Sequence, residues 1–387
     1  MRRWTMAVAA LLVATTTAAQ VGELELKRFA KAYLGYMPGS TVTLTESALR
    51  TAPAGPYQTV RGERTTTIGE GKDQIAMLVD PFARTAVVGL LFPLPAVDPP
   101  VTGDTLPRFV QEVLPQVLGS YLGSRVKIPW PMSPFRPSGV LPLTARVETG
   151  YGPMQMAIAI STDGKYLALG GTWPLDRDPR ALRREILDNA DVQWDPGHEK
   201  AVVKLVEFSD FQCPACKRGW ANVKPVLAEA GENVRHGLVN FPLYNLHPWA
   251  FRAAVAGECV GSLWPDRLVA LKEDFYRLQD SLTLDTVDIA VIGFLAQQGL
   301  DEKSFRGCYL KDAAVDRVLR QLDLGYRLGV FGTPTYFANG ESLPFGEPEV
   351  LAKRLQAIIA AKGRPEDAAE VVATPRPTAA AGETPQH

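Results

Sequence analysis

Charge of one sign, cysteine and long apolar runs are all scarce in this chain, and each shortage excludes something. The formal net charge is −1 and no long basic block interleaves with aromatics, so nothing favours nucleic acid or an anionic membrane surface as a partner. Beyond the first residues no segment is long and apolar enough to span a bilayer, which takes roughly 20 residues. Only four cysteines occur, Cys213, Cys216, Cys259 and Cys308, all in the C-terminal half, so the N-terminal half folds without disulfide staples. That half also lacks a nucleophile and base pair, a metal cluster or a phosphate loop, and no chemistry is assigned to it.

At 387 residues the chain is too long for one ordinary core and predicts two or three domains. Arg2 and Arg3 precede an apolar run, Met6 to Ala14, and then Thr17-Ala18-Ala19-Gln20. Residues 1–19 therefore read as a cleaved signal peptide, which places the mature protein in the periplasm or another extracytoplasmic, oxidising compartment. An uncleaved anchor or a lipid attachment is the alternative.

Residues 23–100 and 104–175 repeat one order of signals. Helical spacing in Glu23 to Tyr36 leads through Gly39-Ser40 to the alternating Val42 and Leu44. Likewise Phe109 to Leu122 leads through Gly123-Ser124 to Val126 and Ile128. Gly71, Ile75-Ala76-Met77, Gly89 and Pro93 recur at a constant offset as Gly152, Met156-Ala157-Ile158, Gly170 and Pro174. The pattern reads as an internal duplication, each copy a helix followed by antiparallel strands, with turns at Asp80-Pro81 and Asp163-Gly164 closing hairpins. Coincidence between two α+β segments is the alternative. Residues 176–200 read as a helical linker.

From Ala201 the signals change. Val202 to Phe208 is an apolar run interrupted once, as expected of a central strand buried on both faces, and Cys213-Pro214-Ala215-Cys216 follows at the start of a helix. Two intervening residues bring two thiols within reach of each other, as a dithiol/disulfide carrier requires. Cys213, at the helix N-terminus, would be the ionised, attacking thiol, and Cys216, one turn in, the buried resolving thiol. Structural zinc is the chemical rival, but it wants four Cys or His ligands, commonly two such pairs, so neither metal nor cofactor is expected. Val234 to Phe241 supplies a second strand. Residues from about 247 to 326 show only helical spacing, and Gly332-Thr333-Pro334-Thr335-Tyr336-Phe337-Ala338-Asn339-Gly340 reads as turn, strand and turn.

The C-P-x-C, the helical stretch and the G-T-P-T-x-F-x-N-G loop together resemble the DsbA-like branch of the thioredoxin fold over 201–362. The resemblance implies an α/β thioredoxin fold with a helical insertion, preceded by the α+β N-terminal region. It implies that Glu207, six residues before Cys213, is a buried proton acceptor for the resolving thiol, the alternative being a solvent-facing glutamate. Pro334 would be a cis-proline and Thr333 its neighbour, both binding substrate. Cys259 and Cys308, in the insert, are expected to form a structural disulfide, or else to remain buried free thiols. His247 matches a frequent structural position of the family.

The implied activity is a thiol:disulfide oxidoreductase forming disulfides in exported, cysteine-containing client proteins and reset by a membrane redox partner. Isomerase or reductase action is the alternative, and a periplasmic chaperone with a secondary redox centre is a reading of another class. Ser161 to Gly171 resembles the D-G-K hairpin in the N-terminal module of disulfide isomerases of the DsbC and DsbG type, which would imply a homodimer or client binding through the N-terminal region. An ordinary charged hairpin is the other reading. The tail, 363–387, is rich in Pro, Ala, Thr and Glu and is expected to be disordered.

Overall fold

A computed structural model describes residues 20–52, 55–65, 72–130, 138–344 and 346–370. Residues 1–19, read above as a signal, and residues 371–387 of the tail lie outside these.

The N-terminal region is one curled sheet of eight antiparallel strands. Helix α1 (Glu23–Leu34) is followed by β1 (Thr41–Ala52), β2 (Gly55–Thr65), β3 (Lys72–Asp80) and β4 (Thr85–Pro93). A second helical passage, α2 (Leu106–Arg108), a π turn and α3 (Leu114–Leu122), is followed by β5 (Arg125–Lys127), β6 (Val140–Thr149), β7 (Gly152–Ser161) and β8 (Tyr166–Pro174). The strand order is β1-β2-β3-β4-β8-β7-β6-β5. The fourth strands of the two helix-and-strand units thus meet at the centre, where Gly89 faces Gly170. A Cβ on either glycine would meet a carbonyl oxygen of the other strand at about 2 Å (1.9 Å from Leu169 O and 2.0 Å from Val88 O), so this crossing tolerates no side chain.

The sheet bends until its two halves touch. Ser138 and the Val140 amide donate to the Asp80 carboxylate, and the Tyr57 hydroxyl donates to Asp163 at 3.0 Å. The Asp163-Gly164-Lys165 hairpin is therefore part of the closure, with Gly164 against Val101 and Phe109.

Residues 176–200 are more than a linker. Asp178 caps α4 (Pro179–Asp188), accepting from the Arg180 amide, and Gln193–Trp194 forms β9, which pairs with Gly237 and Leu238 at the edge of the second sheet. The second domain thus begins before 201. It ends later too: Pro365 is buried, and Arg354 donates to the carbonyls of Pro365, Ala368 and Ala369, so the start of the expected tail is packed structure.

The second sheet has the order β13-β12-β10-β11-β9. Central β10 (Val203–Ser209) runs parallel to β11 (Val234–Asn240) and antiparallel to β12 (Thr335–Ala338), which pairs with β13 (Glu341–Leu343). Helix α5 (Pro214–Ala230) joins β10 to β11, and α11 (Pro348–Ala360) packs beside it. The insertion consists of α6 (Ala250–Leu263), α7 (Leu268–Leu278), α8 (Val287–Gln298), α9 (Glu302–Tyr309) and α10 (Asp312–Leu328). Cys259 and Cys308 are disulfide-bonded, tying α6 to α9 with Cα atoms 5.8 Å apart.

The two regions share one core, with α10 lying across β7 and β8. Buried Arg183 of α4 sits over the rings of Tyr33, Trp173 and Phe337 at 4.5–5.2 Å, joining α1, β8 and β12 through cation–π contacts. Tyr151, at the β6–β7 turn, stacks on Phe251 at 4.0 Å.

Candidate active site

Strand β10 ends at Ser209, and the turn after it carries both cysteines. Asp210 shapes that turn: its buried carboxylate accepts from the Gln212 amide, the Leu243 amide and His247 Nδ1 at 2.7–2.8 Å. His247 is therefore a brace for the turn, and this hydrogen bond raises its pKa. Cys213 then stands at the N-cap of α5 with extended backbone, φ −72° and ψ 120°, and Pro214 opens the helix.

Both cysteines are free thiols. Cys213 is 6% exposed and Cys216 fully buried. The hydrogen bond from Cys216 contributes most to lowering the Cys213 pKa to about 5. Burial opposes it, and the Thr333 side chain with the first amides of α5 adds to the lowering. Cys216 moves the other way, its pKa held well above the usual thiol range by burial first and then by its hydrogen bond to Cys213 and the charge there. The Thr333–Pro334 peptide bond is cis, and the Thr333 carbonyl lies 3.5 Å from Cys213 Sγ. Fold and turn thus bring together Cys213, Cys216, Thr333 and Pro334, which are far apart in sequence.

Glu207 is fully buried, not solvent-facing, and it is not alone. Its Oε2 accepts from Lys272 Nζ at 2.6 Å and from His236 Nε2 at 3.1 Å. Burial by itself would raise its pKa, but the Lys272 charge and the His236 hydrogen bond outweigh that and bring it to about 2. His236 Nδ1 in turn bonds Asp195 Oδ2 at 2.9 Å. Lys272 lies 3.9 Å from the centre of the Trp220 ring, whose indole donates to Glu273 at 3.0 Å.

Sequence reading did not name Lys272, His236 or Asp195. Two of the three carried a signal. Lys272 falls on the apolar stripe of α7 with Leu268, Leu271 and Phe275, and His236 occupies an inward position of a strand buried on both faces. Ionisable residues in such places call for partners. Asp195 carries none, because its place beside β11 depends on β9.

Residues 192–361 match the family model described as thioredoxin, and here they hold the C-P-x-C at a helix start, a cis-proline loop beside it and an all-helical insertion between β11 and β12. This stretch is a thioredoxin-family domain. Among curated proteins, the thioredoxin-family domain's chain is 30% identical over 181 residues to "Na(+)/H(+) antiporter NhaA 3" of Salinispora tropica, covering 45% of this chain and 26% of that protein. It is 27% identical over 152 residues to "Probable disulfide bond formation protein D" of Bacillus anthracis, covering 37% of this chain and 68% of that one. The chain spans about a quarter of the length of the antiporters it matches. Among solved structures, BdbD from Bacillus subtilis aligns over 41% of this chain and 89% of its own, with 22% identity and a TM-score of 0.37. No helix of the described residues is long and apolar enough to cross a membrane.

Proposed function

We propose that this chain is an exported thiol:disulfide oxidoreductase that forms disulfides in extracytoplasmic proteins. The observation that carries the reading is the asymmetry of the two sulfurs. Cys213 lies at a helix N-terminus with its thiolate favoured, and Cys216 lies behind it, buried and protonated.

In the oxidising direction a client thiolate attacks Cys213 Sγ of the active-site disulfide, and the Cys213–Cys216 bond breaks. Cys216 leaves as a thiolate and takes up a proton. A second client thiolate then attacks the client sulfur of the mixed disulfide, and Cys213 departs as the thiolate its site stabilises. Because that thiolate is a good leaving group, the oxidised enzyme is a strong disulfide donor. Thr333 and Pro334 line the client's approach, and Glu207 exchanges the proton of Cys216. A membrane redox partner would restore the disulfide.

The test uses the full-length chain, since a cut at Ala201 would remove β9. Equilibration with glutathione buffers gives the reduction potential, and incubation with a reduced, unfolded multi-cysteine protein gives the oxidase rate. A Cys216→Ser variant, reduced at Cys213, should accumulate a mixed disulfide with a scrambled, disulfide-containing client whose bond the Cys213 thiolate opens, visible on a non-reducing gel and absent from Cys213→Ser. Failure of the wild type to exchange disulfides with glutathione would sink the proposal. Faster reactivation of a scrambled client than oxidation of a reduced one would turn it toward isomerase action.

A further inference from the structure

Resting on that reading, we propose that His236 and Asp195 form the outlet through which the proton of the buried Cys216 thiol reaches solvent. Cys216 must lose a proton each time its sulfur attacks the mixed disulfide at Cys213, and regain it in the reverse step. Its side chain has no exposed surface, so the proton cannot pass directly to water. Glu207 is the buried base on that side of the sheet, and its Oε1 is unpartnered among the described residues. Tyr336 faces Glu207 across the β10–β12 ladder. Its hydroxyl is likewise unpartnered and lies 3.2 Å from where a Cβ on Gly219, one turn along α5 from Cys216, would sit.

A proton taken up by buried Glu207 needs a way out, and among the described residues a continuous hydrogen-bonded path runs from Oε2 to His236 Nε2, then from Nδ1 to Asp195 Oδ2. His236 is 4% exposed, whereas the Asp195 side chain is 28% exposed. The path therefore starts inside the protein and ends at its surface.

The transfer balances. Cys216–SH gives its proton to Glu207 Oε1, and the His236 imidazolium releases one from Nδ1 to Asp195, which passes it to water. The Cys216 thiolate attacks Cys213 Sγ, the bond from Cys213 to the client sulfur breaks, and the client leaves as a thiolate. The charge buried around Glu207 is unchanged throughout. Reduction of the disulfide draws a proton back along the same route.

The groups facing this chain of bonds come from five elements. Lys272 of α7 holds Glu207 in place and ionised, and Tyr276 of α7 is bonded to Ser209 of β10 at 3.1 Å. From α5 come Cys216 and the Trp220 indole, which leads to Glu273. Tyr336 comes from β12, and Arg235 of β11 donates to the Asp195 carbonyl. His236 and Asp195 are positioning residues, acting on the sulfur through Glu207.

The test follows full-length, reduced protein by stopped flow against 5,5′-dithiobis(2-nitrobenzoate), which releases one coloured thiolate when Cys213 attacks and a second when Cys216 resolves the mixed disulfide. Asp195→Asn and His236→Gln should leave the first release within about twofold, and both should slow the second, His236→Gln by about a hundredfold, the scale of a lost proton-transfer group. The slowed step should show a larger solvent deuterium isotope effect. Added acetate should restore the second step in Asp195→Asn, where the missing carboxylate is at the surface, but not in His236→Gln. Equal slowing of both steps would mark a structural role and overturn the outlet, as would unchanged second release in both variants. If the wild type released no coloured thiolate at all, the exchange reading itself would fall.

Discussion

At the scale of single residues, the site works by setting two neighbouring thiols apart. Alkylation of Cys213 by iodoacetamide should titrate with a midpoint near pH 5, against about 8.5 for an ordinary cysteine, and the thiolate absorbance at short ultraviolet wavelength should follow the same curve. Glu207 carries a stability signature of known sign. Its folded pKa, about 2, lies below the unfolded value of about 4.3, so its contribution is fully present above the unfolded value and is lost as pH falls from there toward 2. Urea denaturation across that range should show the loss in wild type and a flatter profile in Glu207→Gln. Lys272→Met, which leaves a buried carboxylate without its cation, should cost about 3–5 kcal/mol at pH 7. Cys213 and Cys216 were legible as a pair because spacing alone brings them together. Lys272 and His236 were visible only as polar residues in apolar positions, whose partners no local pattern could name.

Among the elements, helices and strands of the thioredoxin-family domain lay close to where periodicity put them, because each has a buried stripe or face. The errors were at the borders. Two residues of β9 have no pattern long enough to read, and the packed start of the tail is held by side chains from elsewhere in the domain, chiefly Arg354 and Asn339. Removing the Cys259–Cys308 bond by paired alanine substitution opens a link across 49 residues of sequence. By loop entropy that should cost about 4 kcal/mol, measured as a lowered urea midpoint that added reductant reproduces in wild type. Glycines at helix ends give a graded comparison. Gly123 has φ 61° with no atom within 4 Å of a built Cβ, while Gly329 has φ 81° and would place a Cβ 1.9 Å from the Tyr33 hydroxyl. Gly123→Ala should therefore cost about 1 kcal/mol for its left-handed backbone, and Gly329→Ala clearly more, read from the same denaturation curves.

For the molecule as a whole, two regions of unlike architecture share one core, from Val60 and Met77 to Phe208 and Phe241. Differential scanning calorimetry should accordingly show one cooperative transition; two resolved transitions would mean the regions unfold independently. The eight-strand order was not readable from sequence, since register and curling depend on contacts such as Asp80 with Ser138 that join distant strands. One junction fixes the timing of assembly. The Tyr36 amide donates to the Ser342 carbonyl, and Gly35 presses against Ser342, so the loop after the first helix covers the outer edge of β13, near the other end of the chain. During synthesis the loop after the opening helix must wait for the chain to emerge as far as Ser342, of 387 residues, before it can pair with β13. Until then that loop, and afterwards the β13 edge if the loop has not yet paired, are open to other chains, and a holding factor acting on the unfinished polypeptide would find them there.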